Sequence, residues 1–363
     1  FKFCAVYCFI FSLYLLSSGV LLSSDILLSS NILPSSSILF FLFLLFGFVL
    51  LIKGADWFVD GAAALAKKLK VPGVIIGLTV VAMGTSAPEL AVSVTSAISH
   101  SNGLCLGNVI GSNLFNLLVV LGACAVISPI AVEKGILTRD FPFSLVTTML
   151  VAVFAGLGFI FSGNIKNADM TTQTGTLTRT NGIILLVFFA LYLAVTVIVA
   201  IKNREEGEDI ESLPLWKSLL YLGVGIACIV IGGNLVVDNA KQIAYLLGMS
   251  ETLVGLTIVA IGTSLPELVT SVVASRKGQN GMAVGNVVGS NIFNLLLIIG
   301  VSCVINPIGI AFESIIDMVC LLVASVMSYI FCITGKKVCR SEGAVMVVCY
   351  VAYTGYAIAR AMF

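Results

Sequence analysis

Glu89 and Glu267 each lie deep in a long apolar run and directly follow a proline, in the segments GTSAPE and GTSLPE. A carboxylate in hydrocarbon costs several kcal/mol and normally faces a cavity that supplies a cation or proton. The plainer alternative, a structural pair with a basic residue, has little support. No lysine or arginine stands at matching depth in both runs. Pro88 and Pro266 each remove a backbone donor and clash with the preceding turn, and Gly84 loosens the helix further. Carbonyls freed near Ala82 and Met83 would then join the hydroxyls of Thr85 and Ser86, one turn from Glu89. Thr263 and Ser264, with Ala260 before them, repeat the arrangement around Glu267. A single Gly-Pro kink is usually structural; the same kink twice, each with a glutamate, reads as a ligand turn.

A second motif follows each glutamate, GNVIGSNLFN at Gly107–Asn116 and GNVVGSNIFN at Gly285–Asn294. The glycines four apart permit close helix packing. Ser112 and Asn116 are four apart and share a helical face, as do Ser290 and Asn294. Some amides of these motifs bridge helices; Ser112, Asn116, Ser290 and Asn294 are the ones expected to face a cavity. Together the candidates supply two carboxylates plus hydroxyl, amide and carbonyl oxygens, with no histidine or thiol at the shared positions. Hard cations such as Ca²⁺ and Na⁺ prefer that set, whereas zinc or copper prefer nitrogen or sulfur. Two negative charges match one Ca²⁺, or several Na⁺, or protons. Competition for the same carboxylates would give exchange rather than co-transport.

The elements that position these residues come from an internal repeat. Residues 77–122 and 255–300 align without a gap at an offset of 178, with 26 of 46 positions identical. The surrounding chain is 59% hydrophobic and 10% charged, with a mean hydropathy of +1.13. A soluble domain carries about a quarter charged residues, so this is a membrane protein. The near-zero net charge says nothing about nucleic acid, but no basic patch of recognition size exists, so no nucleic-acid partner is expected. The ten cysteines are scattered singly and read as small packing residues.

Spans of about 20 apolar residues occur near 39–59, 71–99, 104–127, 141–163, 182–201, 215–236, 249–275, 282–305, 315–334 and 343–362. With the segment before the first span outside, 13 lysines and arginines fall in inner loops and four outside, a decisive bias. Trp216, and with it Trp57, sits where an interfacial anchor belongs. Five spans per half is an odd number, so the second half enters from the opposite face. Such inverted repeats are typical of secondary transporters, with the site at the midplane between them. The expected fold is an all-α integral membrane protein of ten transmembrane helices in two inverted five-helix repeats. Residues 1–38, rich in an LLSS-type hexapeptide, read as a low-complexity, leader-like segment. Residues 39–201 form the first repeat, 202–214 a cytoplasmic linker and 215–363 the second repeat.

The paired GTSxPE and GNVxGSNxFN signatures, with KGADWFVDGA at Lys53–Ala62, closely resemble the cation/Ca²⁺ exchanger superfamily, especially its prokaryotic-type sodium/calcium antiporters. The resemblance covers nearly all of residues 39–362. It implies that Glu89 and Glu267 are central ligands shared by Ca²⁺ and Na⁺. Thr85, Ser86, Ser112, Asn116 and the Ala82 carbonyl match family ligand positions in the first half. Thr263, Ser264, Ser290, Asn294 and the Ala260 carbonyl match those in the second. It also implies alternating access by sliding of spans one and six. The family often carries an aspartate where this chain has Asn294, so that carboxylate does not carry over and the exchange ratio is open. The linker is too short for the Ca²⁺-sensing domains of animal exchangers. The expected activity is therefore Ca²⁺/Na⁺ antiport in a multi-pass protein of the plasma or inner membrane, with an organelle membrane as the alternative. No cofactor is expected beyond the transported ions. A proton-coupled or K⁺-dependent exchanger of the same fold is the nearest rival, and a cation channel a more distant one. An enzyme is not expected, because no nucleophile–base or HExxH arrangement occurs.

Overall fold

The computed structural model describes residues 35–99, 102–161, 173–202, 213–246 and 260–362. The leader-like residues 1–34, most of the linker and the first part of span seven, 249–259, lie outside the described residues. Helix α1 is Ser35–Leu69, so the last four residues of the leader-like segment open the first helix. Span two is broken into α2, Gly73–Thr85, and α3, Ala87–Ile98, with a bend of 48° between them. Helix α4 runs over 102–127, α5 over 136–161, α6 is Arg179–Lys202 and α7 is Leu215–Leu246. In the second half, α8 is Ala260–Gly262, α9 Leu265–Arg276, α10 runs over 280–305, α11 is Phe312–Ile333 and α12 Arg340–Met362.

Among the described residues, eight helices are long and apolar enough to cross a bilayer, and the bent pair α2–α3 makes a ninth candidate. This is a multi-pass integral membrane protein. Helices α1 and α7 continue ten residues beyond the apolar stretches at 39–59 and 215–236. Lys67 and Lys68 lie on the last turn of α1 and Lys241 on α7, rather than in loops. Hydropathy locates the hydrocarbon, whereas helix ends follow backbone hydrogen bonding, and alanine and lysine propagate a helix into water. Trp57 and Trp216 are both exposed.

Burial separates a centre from a periphery. In α4 and α10, 78% of the most apolar stretch is buried by protein, against 11% in α12. The two helices that carry the GN motifs are therefore the core, together with α9, and the remaining long spans are covered by protein over a third or less of that stretch. Helices α1 and α7 pack antiparallel along their length. A Cβ on Gly47 would lie 2.9 Å from the Gly232 carbonyl, and one on Gly54 2.8 Å from that of Gly225. Glycine at seven-residue spacing is what lets these backbones touch. Short strands clamp the ends: β1 (Ile130–Ala131) pairs with β4 (Lys337–Val338), and β2 (Gln173–Leu177) with β3 (Ile308–Ala311), both antiparallel. Each pairing joins the first half to the second.

Candidate cation site

Each glutamate sits in the first turn of the helix that follows a chain break. Ser86 (φ −83°, ψ 7°) caps α3 and Ser264 (φ −95°, ψ 7°) caps α9, with Pro88 and Pro266 in the first turn. Proline is tolerated there because first-turn N–H groups lack helical partners anyway. The break also sets each serine off its own helix, with a consequence across the molecule. Ser86 Oγ donates to Glu267 Oε1 at 2.9 Å, and Ser264 Oγ donates to Glu89 Oε1 at 3.0 Å. The serines chosen as neighbours of their own glutamate thus bind the glutamate of the other half.

Both carboxylates are fully buried. Among the described residues, neither takes part in an ion pair. Asp140 makes the contrast plain: it is also fully buried, but Arg139 grips it at 2.8 and 2.9 Å. A buried carboxylate without a counter-charge is strongly disfavoured. One hydroxyl donor each, worth roughly 1.5–3 kcal/mol for a charged acceptor, does not offset that.

The second carboxylate oxygens and several neighbouring groups are left unpaired. Glu89 Oε2, Glu267 Oε2, Ser112 Oγ, Ser290 Oγ, Asn294 Oδ1 and Thr263 Oγ1 are buried with no hydrogen-bond partner, as is the whole amide of Asn116. Buried polar atoms are nearly always satisfied by protein or by ordered water, so these atoms are open to a further partner. Each of the seven groups offers an oxygen, and oxygen is the donor type that a hard cation takes. Ten of the twelve candidates are side chains, and each has an unpaired atom or a glutamate contact, with Thr85 lying against Glu267. The Thr85 hydroxyl donates to Asn286 Oδ1 at 3.2 Å. The Ala82 carbonyl is not freed by the kink, for it accepts the Ser86 N–H at 3.0 Å and lies 3.4 Å from the Thr85 hydroxyl. Ala260 begins the described part of its span.

Asn116 and Asn294 each open a π-helical turn, Asn116–Val120 and Asn294–Ile298. Their carbonyls accept the N–H five residues on, from Leu121 and Ile299. Such a widened turn shifts side chains around the axis and is frequent at functional sites. Here it packs the Asn116 turn against α9 and the Asn294 turn against α3, crossing the halves again. Behind this layer, Asn108 Nδ2 donates to Ser93 Oγ at 3.0 Å and Asn286 Nδ2 to Ser271 Oγ at 2.9 Å. Sequence reasoning noted the two asparagines but not Ser93 or Ser271. Their matching offset of 178 within the repeat was the available signal.

The chain matches the model of the sodium/calcium exchanger protein family over residues 39–198 and 217–359. It is 37% identical to the putative antiporter CaxA of Alkalimonas amylolytica, over 86% of this chain and 96% of that protein. It is 36% identical to the sodium/calcium exchanger MaX1 of Methanosarcina acetivorans, over 86% and 97% of the two chains. Among solved structures, the sodium-calcium exchanger NCX_Mj soaked with Na⁺ and Ca²⁺ superposes with a TM-score of 0.73 at 34% identity, covering 87% of this chain and 97% of that one. With repeat, buried carboxylates and likeness in agreement, the chain belongs to the sodium/calcium exchanger family.

Proposed function

We propose that this protein is a secondary active antiporter that exchanges Ca²⁺ for Na⁺ by alternating access, with both ions using one site between two inverted five-helix repeats. The repeats are residues 39–201 and 215–363, joined by a cytoplasmic linker at 202–214, and span seven completes a set of ten transmembrane helices. The ligands are Glu89, Glu267, Thr85, Ser86, Thr263, Ser264, Ser112, Asn116, Ser290 and Asn294, with the carbonyls of Ala82 and Ala260. The observation that carries the reading is the pair of fully buried glutamates, cross-bonded to Ser264 and Ser86, each with one oxygen left unpaired. Two carboxylates neutralise one Ca²⁺, and neutral oxygens fill the six to eight positions such an ion takes. Na⁺ offers less charge per ion, so several are needed to displace it, and simultaneous occupancy by both is disfavoured. That mutual exclusion is the chemical basis of antiport. The family is one of transporters, and no catalytic step is assigned to this site.

The cover over the two glutamate turns differs, which supports a directional state. Helix α1 lies along α9, where every residue from Leu265 to Ser275 is buried. On α3 only Glu89, Ser93, Ser96 and Ala97 are buried. With the orientation set by lysine and arginine, α3 leads outward and α9 inward. In this reading the conformation is covered on the α9 side, towards the cytoplasm, and less covered on the α3 side, towards the outside.

The test is Ca²⁺ binding to the purified protein in lipid nanodiscs, with Na⁺ as competitor. Glu89→Gln and Glu267→Gln should each weaken Ca²⁺ binding at least about 100-fold, as removal of half the charge in a buried site requires, with folding intact by size exclusion. Wild-type affinity in either variant would remove that glutamate from the site.

A further inference from the structure

The GN motifs contain asparagines that the ion site does not use directly. Asn113 and Asn291 occupy matching positions on α4 and α10, both buried. They brace the two helices reciprocally: Asn113 Nδ2 donates to the Asn291 carbonyl and Asn291 Nδ2 donates to the Asn113 carbonyl, each at 3.5 Å. One further bond breaks the symmetry. Asn294 Nδ2 donates to Asn113 Oδ1 at 3.0 Å, whereas the mirror residue Asn116 has neither amide atom paired.

An amide has two ends of nearly the same shape and opposite chemistry. Its oxygen can ligate a cation, while its NH₂ group repels one. Which end is presented depends on neighbours that are themselves fixed in polarity. The Asn291 backbone carbonyl can only accept, so it draws the NH₂ of Asn113. That leaves Asn113 Oδ1, which can only accept, and it draws the NH₂ of Asn294. Asn294 Oδ1 is then left buried and unpaired, in the turn that packs on the helix of Glu89. Turning Asn294 over would set oxygen against oxygen and lose a buried hydrogen bond.

We propose that Asn113 is a positioning residue that holds the Asn294 amide with its oxygen, not its nitrogen, towards the cation. The proposal rests on the reading that Asn294 lines the cation site. It gives the two neutral amides different duties: Asn294 is pre-oriented, and Asn116 is free to turn. A neutral ligand thereby serves where a carboxylate would need no such guidance, because both ends of a carboxylate are oxygen.

That difference supplies the test. Ca²⁺ affinity is measured by titration of the full chain in nanodiscs, for Asn113→Leu in two backgrounds, the natural Asn294 and Asn294→Asp. Leucine has the same number of side-chain heavy atoms in the same branched arrangement as asparagine but makes no hydrogen bond. With Asn294 present, Asn113→Leu should weaken Ca²⁺ binding roughly tenfold, the scale of one buried hydrogen bond. In the Asn294→Asp background the same change should cost less than about twofold, since an aspartate has no wrong end to present. If Asn113→Leu does not yield folded protein, Asn113→Ala is measured in its place. Equal losses in the two backgrounds, or no loss with Asn294, would overturn the proposal. Glu89→Gln run in parallel separates the two readings. Loss of binding there with an unaffected Asn113→Leu removes only the positioning role, while normal binding in Glu89→Gln removes the site itself.

Discussion

The turn at residues 82–89 and the turn at 260–267 carry the same chemistry under different cover. Both break the helix at a serine with ψ of 7°, both place a proline and then a glutamate in the next turn, and both serines reach across to the opposite carboxylate. Yet Met83 is 53% exposed and Ala87 is exposed beside the first turn, while Leu265 is 3% exposed beside the second. The proposed ion site is thus symmetric in its candidate ligands and asymmetric where it meets its surroundings. A transporter built from two like halves needs that division. The ligands must serve both directions of traffic, and only the cover distinguishes one side from the other. Even the ligand layer shows a trace of the difference, for Thr85 bonds to Asn286 while Thr263 has no partner.

The largest expected effect concerns the cover. In a background free of reactive native thiols, Ala87→Cys should react with a membrane-impermeant maleimide added outside, and Leu265→Cys should resist it from either side. The rates should differ at least about tenfold, as expected when the opposing state is populated at no more than about 10%. Equal rates would mean that the difference in cover does not separate two access states. A smaller effect tests the shared chemistry. Ser86→Ala and Ser264→Ala each delete one hydroxyl-to-carboxylate bond, and each should raise the half-saturating Ca²⁺ concentration about tenfold, the lower end for a bond to a charged acceptor. Unequal losses would show that the halves differ at the ligands as well as at their cover.

Much of this site could be read before any fold was known, because each part was written twice. The glutamates, the prolines before them, and Ser112, Asn116, Ser290 and Asn294 recur at one offset, and repetition separates a site from ordinary polar packing. What could not be read lies in relations between distant residues. Ser86 meets Glu267 across 181 positions, and no local pattern announces which glutamate a capping serine will choose. The π-helical turns at Asn116 and Asn294 are equally silent, since a hydrogen bond to the fifth rather than the fourth residue is settled by packing. Arg139 and Asp140 are adjacent in the chain, and their pairing looks trivial until the aspartate proves fully buried. The overlong helices α1 and α7 show the limit of hydropathy itself, which marks where lipid is and not where a helix stops.

The account turns on coupling, and one measurement reaches it most directly. The protein is reconstituted into sealed vesicles, and Ca²⁺ uptake against its own gradient is followed while Na⁺, K⁺ or proton gradients are imposed one at a time. An outward Na⁺ gradient should drive uptake, and K⁺ or proton gradients alone should not. Uptake driven only by the proton gradient, or Ca²⁺ flux that runs downhill with no counter-ion at all, would contradict Na⁺/Ca²⁺ exchange at Glu89 and Glu267.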